Sequence, residues 1–132
     1  MNRMDFQRMA LVRLREAEVL LAARQDSGAY YLAGYAVECA LKACIAKRVK
    51  RHDFPDRRLA LDAYTHDIEQ LVRVADLTLA LETEQAADAT FRSHWIKVVE
   101  WSEGARYERW SLDEAKGSLA FMLTPPSAYP PA

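Results

Sequence analysis

The run AYYLAGYAVECALKACIA, residues 29–46, decides most of what this chain can fold into. It is apolar almost all the way round a helical turn, and such a helix belongs at the centre of a bundle or between a bundle and a partner. Glu38 and Lys42 stand in its middle, four residues apart with the acid on the N-terminal side. Two charges at mid-span are costly in lipid, so the run reads as the buried helix of a soluble, cytoplasmic protein. The pair itself has two readings. It is either a partly buried salt bridge that fixes helix register, or a charged feature lining a cleft or dimer seam.

Helical spacing continues on both sides of this run. Over about residues 3–25, Phe6, Ala10, Leu14, Ala17 and Leu21 share one face, while Val12 and Val19 interrupt the polar side, as in a helix covered on more than one side. Asp26-Ser27-Gly28 reads as the breaker and cap before a second helix over about 28–50. A third helix is predicted from about Thr65 to Leu79, with Ile68, Leu71, Val72, Ala75 and Leu79 inward. A fourth is predicted from about Glu82 to Trp101, with Ala87, Phe91, Trp95 and Val98 inward. Ser111 and Glu114 form an S-x-x-E capping box for a short fifth helix carrying Leu112, Ala115, Leu119 and Met122 inward. The expectation is an all-α, up-and-down bundle of four to five helices over residues 1–124, followed by a Pro-rich tail, 125–132.

Composition narrows the alternatives. With four glycines, and Pro55 the only proline outside the tail, the turn signals of a many-stranded β fold are missing from 132 residues. Lys plus Arg total 18 against 19 Asp plus Glu, which excludes a globally basic nucleic-acid coat or a polybasic membrane binder. Cys39 and Cys44 lie about 140° apart on one helix, so no intrachain disulfide joins them and buried thiols in a reducing compartment are expected. The first twenty residues have no uninterrupted apolar core of the secretory kind.

Phosphate-loop, dinucleotide, nucleophile-elbow and zinc-protease signatures are all missing. His52, His66 and His94 are too dispersed to pair as ligands, so neither metal nor cofactor is expected. His66 and Asp67 open the third helix. Asp67 suits helix initiation, while His66 is either a satisfied structural histidine or a proton carrier acting on a phosphate or ribose hydroxyl. Arg106 and Tyr107 offer a bidentate phosphate contact and a stacking ring. Alternatively Arg106 pairs with Glu38 or Asp67 while Tyr107 closes the bundle end. The aromatics Tyr30, Tyr31, Tyr35, Trp95 and Trp101 read as core or oligomer interface. A basic loop, Lys47, Arg48, Lys50, Arg51, Arg57 and Arg58, carries net +4 over 47–58, against net −5 over 67–90. It is a solvated loop, a steering surface for an anion, or half of a self-complementary dimer.

Ala29-Tyr30-Tyr31-Leu32-Ala33-Gly34-Tyr35-Ala36-Val37-Glu38-Cys39-Ala40-Leu41-Lys42 resembles the second-helix signature of HEPN domains, A-x-Y-L-x-G-Y-A-x-E-x-A-L-K. Thr65 to Leu71 resembles the H-D-[LI]-x-x-L that follows it in many of them, and Arg106-Tyr107 resembles a late R-Y of the same branch. The resemblance spans about residues 10–123. It implies a helical bundle that forms a homodimer, in a prokaryotic toxin–antitoxin or stress module beside a minimal nucleotidyltransferase. Many such proteins are metal-independent ribonucleases with an R-x4-6-H motif, and others are non-catalytic nucleotide- or RNA-binding partners. Here seven residues separate Arg58 from His66 and three separate Arg48 from His52, so the spacing of the active branch is absent. The resemblance therefore points to the binding branch, with Glu38, Lys42, His66, Asp67, Arg106 and Tyr107 as ligand-binding residues. A ribonuclease would use Arg106 for the phosphorane charge and His66 for the proton, and a purely structural dimerisation module is the third possibility.

Overall fold

The computed structural model describes residues 2–51, 62–102, 104–105 and 109–123, with side chains undescribed for 49–51 and 123. Six helices, and no strand, occur among the described residues: α1 (Arg3–Ala22), α2 (Asp26–Arg51), α3 (Ile68–Val74), α4 (Thr78–Ala87), α5 (Ala89–Val99) and α6 (Leu112–Leu123). The all-α bundle expected from the periodicity is present. The predicted 125–132 tail lies outside the described residues.

α1 begins with a reciprocal cap. Asn2 Oδ1 accepts from the Asp5 N–H at 2.9 Å, and Asp5 Oδ2 accepts from the Asn2 N–H at 3.0 Å. It ends earlier than predicted, in a Schellman turn. Arg24 N–H donates to the Leu21 carbonyl and Gln25 N–H to the Leu20 carbonyl, with Arg24 itself left-handed at φ 57°. A bidentate contact to the Asp26 carboxylate holds the Arg24 guanidinium in place and raises the Arg24 pKa. Asp26-Ser27-Gly28 is consequently the first turn of α2 and not the breaker before it.

The third and fourth predicted helices divide differently. A second Schellman turn stops α3, with Asp76 left-handed at φ 62° and the Leu77 N–H bonded to the Val72 carbonyl. Asp88 is extended and caps α5 through the Phe91 N–H at 3.0 Å. What reads as two long helices is therefore three shorter ones. The breaks shift the helical phase, so Leu79, predicted inward, is 76% exposed, and Ala87 is exposed as well. The Ser111–Glu114 capping box is present, with the Glu114 N–H donating to Ser111 Oγ and the Ser111 N–H donating to Glu114 Oε1.

α2 lies at the centre, in contact with α1, α3 and α6. The small residues Ala17, Ala33 and Ala36, all fully buried, let α1 and α2 pack closely. At the start of α2, Tyr30 stacks on Trp110 with ring centroids 4.1 Å apart, and its hydroxyl donates to the Lys97 carbonyl in the last turn of α5. Trp101 lies over Gly34, where any Cβ would overlap the indole, and its Nε1 donates to the Tyr31 carbonyl at 2.9 Å. Phe91 and Trp95 of α5 meet Phe121 of α6. Tyr30, Trp95 and Trp101 are thus core residues.

Candidate functional site

α2 projects Glu38 and Lys42 from successive turns of one face. Glu38 is only 2% exposed, and its Oε2 lies 3.5 Å from Lys42 Nζ, which is itself largely buried. A carboxylate so removed from water needs both oxygens occupied. The second partner is His66, whose Nδ1 stands 2.8 Å from Glu38 Oε1. A carboxylate only accepts hydrogen bonds, so Nδ1 carries the hydrogen and Nε2 becomes the basic nitrogen of the neutral ring.

His66 reaches this position because the chain before α3 is held by its own local hydrogen bonds. The Thr65 N–H donates to the Ala63 carbonyl, and the Asp67 N–H to Thr65 Oγ1 at 3.1 Å. Asp67 Oδ1 caps α3 through the N–H groups of Glu69 and Gln70, and Gln70 Nε2 reaches back to the Asp62 carbonyl at 2.9 Å. Ile68 and Leu71 are fully buried in the core cluster that includes Val37 and Leu41, which docks α3 and carries His66 to Glu38. Asp67 is thus a capping residue, as its position in the sequence predicts.

The surroundings are charged on both sides. Tyr35 and Cys39, neighbours of Glu38 on α2, both have raised pKa values. Burial is the main cause for each and the Glu38 charge the next, and the Cys39 thiol is pushed up to about 11. Arg13 of α1, bonded to Glu16, acts on both in the opposite direction. Cys44 is raised by burial too, and both cysteines are free.

Of the predicted site residues, the structure brings together Glu38, Lys42 and His66. Arg106 and Tyr107 lie outside the described residues, as do Arg57 and Arg58. The basic loop needs correction at its start: Lys47, Arg48, Lys50 and Arg51 are the end of α2. Arg48 is committed there, donating at 2.7 Å to the Val74 carbonyl at the C-terminus of α3, where a cation complements the helix dipole. Sequence reasoning missed Arg13, which no local spacing relates to α2. It placed Tyr35 among the packing aromatics, although the three-residue step to Glu38 puts the two on adjoining turns. Among the described residues no group of three His, Cys, Asp or Glu side chains is placed to hold a metal ion, and no helix is long and apolar enough to cross a membrane.

No family model, no curated protein and no solved structure matches this chain. The chemistry of the cluster is therefore read from its own geometry. An ammonium and an imidazole oriented through Nδ1 flank one buried carboxylate, an arrangement that sets a positive charge beside a basic ring nitrogen able to accept a proton from a hydroxyl.

Proposed function

We propose that this chain is a HEPN-like, nucleotide- or RNA-associated helical protein, with Glu38, Lys42 and His66 as its polar site. In this reading it works as a homodimer with a minimal nucleotidyltransferase in a toxin–antitoxin or stress module. The observation that supports the site is the meeting of two separated motifs: the Glu38–Lys42 pair of α2 and His66, 28 residues further on, share one buried carboxylate. The homodimer and the nucleotidyltransferase rest on the motif resemblance alone. Lys42 supplies the charge for a phosphate, and His66, held in orientation by Glu38 through Nδ1, a basic Nε2 suited to accept from a ribose hydroxyl. Arg106 and Tyr107 join the reading from the sequence only.

The test is fluorescence anisotropy with labelled single-stranded RNA and with a labelled adenine nucleotide. Wild type is expected to bind one of them, with affinity reduced at least fivefold in Lys42→Gln and in His66→Ala at unchanged helical content. A folded wild-type protein that binds neither overturns the proposal and leaves the structural dimerisation module.

A second reading is favoured by the Glu38–His66 contact. A buried acid orienting an imidazole through Nδ1 is the arrangement of a general acid–base catalyst. A metal-independent ribonuclease would cleave total RNA in EDTA and lose that activity in His66→Ala and Arg106→Ala. Binding without cleavage selects the first reading.

A further inference from the structure

α1 is apolar on two opposite faces. One carries the buried Ala10, Leu14 and Ala17 toward the bundle. The other carries Met4 (63% exposed), Leu11 (65%), Val12 (45%) and Val19 (64%). At about 100° per residue these four fall within a stripe roughly 100° wide, and at 1.5 Å per residue they run about 22 Å along the helix. Arg8 and Arg15, both exposed, lie along the middle of the stripe, and neither makes an ion pair among the described residues. No carboxylate falls between them on this face; Glu18 and Asp5 sit just outside its two edges, and Glu16 lies beyond Asp5. Single exposed apolar residues are ordinary, but four on one face of one helix, interleaved with two arginines, make a surface suited to an amphipathic partner.

Charge decides what covers it. In a two-fold antiparallel pairing of α1 with its own copy, centred on Leu11 and Val12, Arg8 of each copy faces Arg15 of the other. A parallel pairing sets each arginine against itself. Like charges across such a seam are destabilising, so the pairings that bury the whole stripe against its own copy are disfavoured. α4 of a second copy is acidic but spans ten residues, about 15 Å, and exposes one large apolar side chain, Leu79. A membrane surface is a poor match as well. The stripe has no aromatic residue, and two arginines fall short of the clusters that hold a helix on anionic lipid.

We propose that this face of α1 docks an amphipathic helix of a different protein, whose apolar stripe carries acidic side chains seven residues apart opposite Arg8 and Arg15. The surface lies on the side of α1 away from the bundle, so the proposal stands independently of any activity at Glu38 and His66.

The test uses the full chain and two synthetic 21-residue helical peptides with the same leucine stripe. One carries glutamates seven residues apart within the stripe, and its twin carries lysines there. By anisotropy at low salt, the glutamate peptide is expected to bind at least tenfold more tightly than the lysine peptide. Arg8→Glu with Arg15→Glu is expected to reverse that order, and Leu11→Ser with Val19→Ser to weaken both peptides at least tenfold at unchanged helical content. Equal binding of the two peptides, or binding of neither, overturns the proposal. So does a wild-type dimer in sedimentation that the Leu11→Ser, Val19→Ser protein lacks, since a second copy is then the occupant. Flotation with phosphatidylserine vesicles that those substitutions abolish overturns it in favour of a membrane.

Discussion

The two halves of α2 are held by different physics. Its first turns are fixed by rings: Tyr30 against Trp110, and Trp101 over Gly34, with each polar atom of Tyr30 and Trp101 spent on a backbone carbonyl. Its middle and end are fixed by charge: Glu38 between Lys42 and His66, and Arg48 on the Val74 carbonyl. The ring half is specified by shape and responds to volume. The charged half is specified by desolvation, so removing one partner strands the other. A helix that is apolar nearly throughout keeps its charges where a neighbouring segment must be positioned, here the one that carries His66.

Removing the shared partner is the severest way to break this contrast. Glu38→Ala leaves Lys42 largely buried without a counter-charge and His66 without its acceptor, and is expected to cost about 3 kcal/mol in urea denaturation. Glu38→Gln keeps the volume and is expected to cost less. A loss below about 1 kcal/mol for Glu38→Ala would show that the charged half is not held as described.

In the ring half the corresponding change adds a single methyl. Gly34→Ala drives a Cβ into the Trp101 indole, which cannot swing aside as a flexible chain end does. Overpacking outweighs the gain in helix propensity, for a net loss of about 1–2 kcal/mol. Trp101→Leu in the same protein is expected to recover part of it, and a purely additive double mutant would refute the clash.

Alkaline pH sharpens the comparison. The Cys39 thiol is raised from 9.0 to about 11 by burial and by Glu38. Its contribution is therefore complete below pH 9 and is lost as pH rises through 11, amounting to about 1 kcal/mol at pH 10. Thermal melts at pH 8 and pH 10 are expected to diverge for wild type and to diverge less for Cys39→Ala. Tyr35, raised for similar reasons, acts in the same direction.

The smallest effect is at Gly117, where an added Cβ meets the Lys97 side chain, a flexible group. That chain moves away at the expense of its ion pair with the exposed Asp113. Helix propensity then governs, and Gly117→Ala is expected to be neutral or to gain a few tenths of a kcal/mol.

These differences follow what a sequence displays. The apolar run, the Glu38–Lys42 step, the Asp67 cap and the Ser111–Glu114 box are local, and each appears in the structure where the spacing puts it. The break between α1 and α2 was legible but placed a few residues late, and the one at Asp76 was not legible, because left-handed turns advertise themselves through glycine, and here an arginine and an aspartate take that conformation. Asp88 stops a helix without glycine or proline, and the phase error it leaves misplaced Ala87. Of the site, the charged pair was readable, but the arrival of His66 depends on Ile68 and Leu71 docking on α2, a tertiary event that no spacing encodes.

The hydrogen bonds on the first turns of α2 also set an order of events during synthesis. Tyr30, Tyr31 and Ser27 are bonded to Lys97, Trp101 and Trp110, partners 67, 70 and 83 residues downstream. α1 and α2 can close as a local hairpin soon after leaving the ribosome, but this aromatic end of α2 stays uncovered until Trp110 has emerged. A nascent or truncated chain lacking the residues from Trp101 onward would present Tyr30 and the face around Gly34 to solvent, as a surface for chaperones or for aggregation.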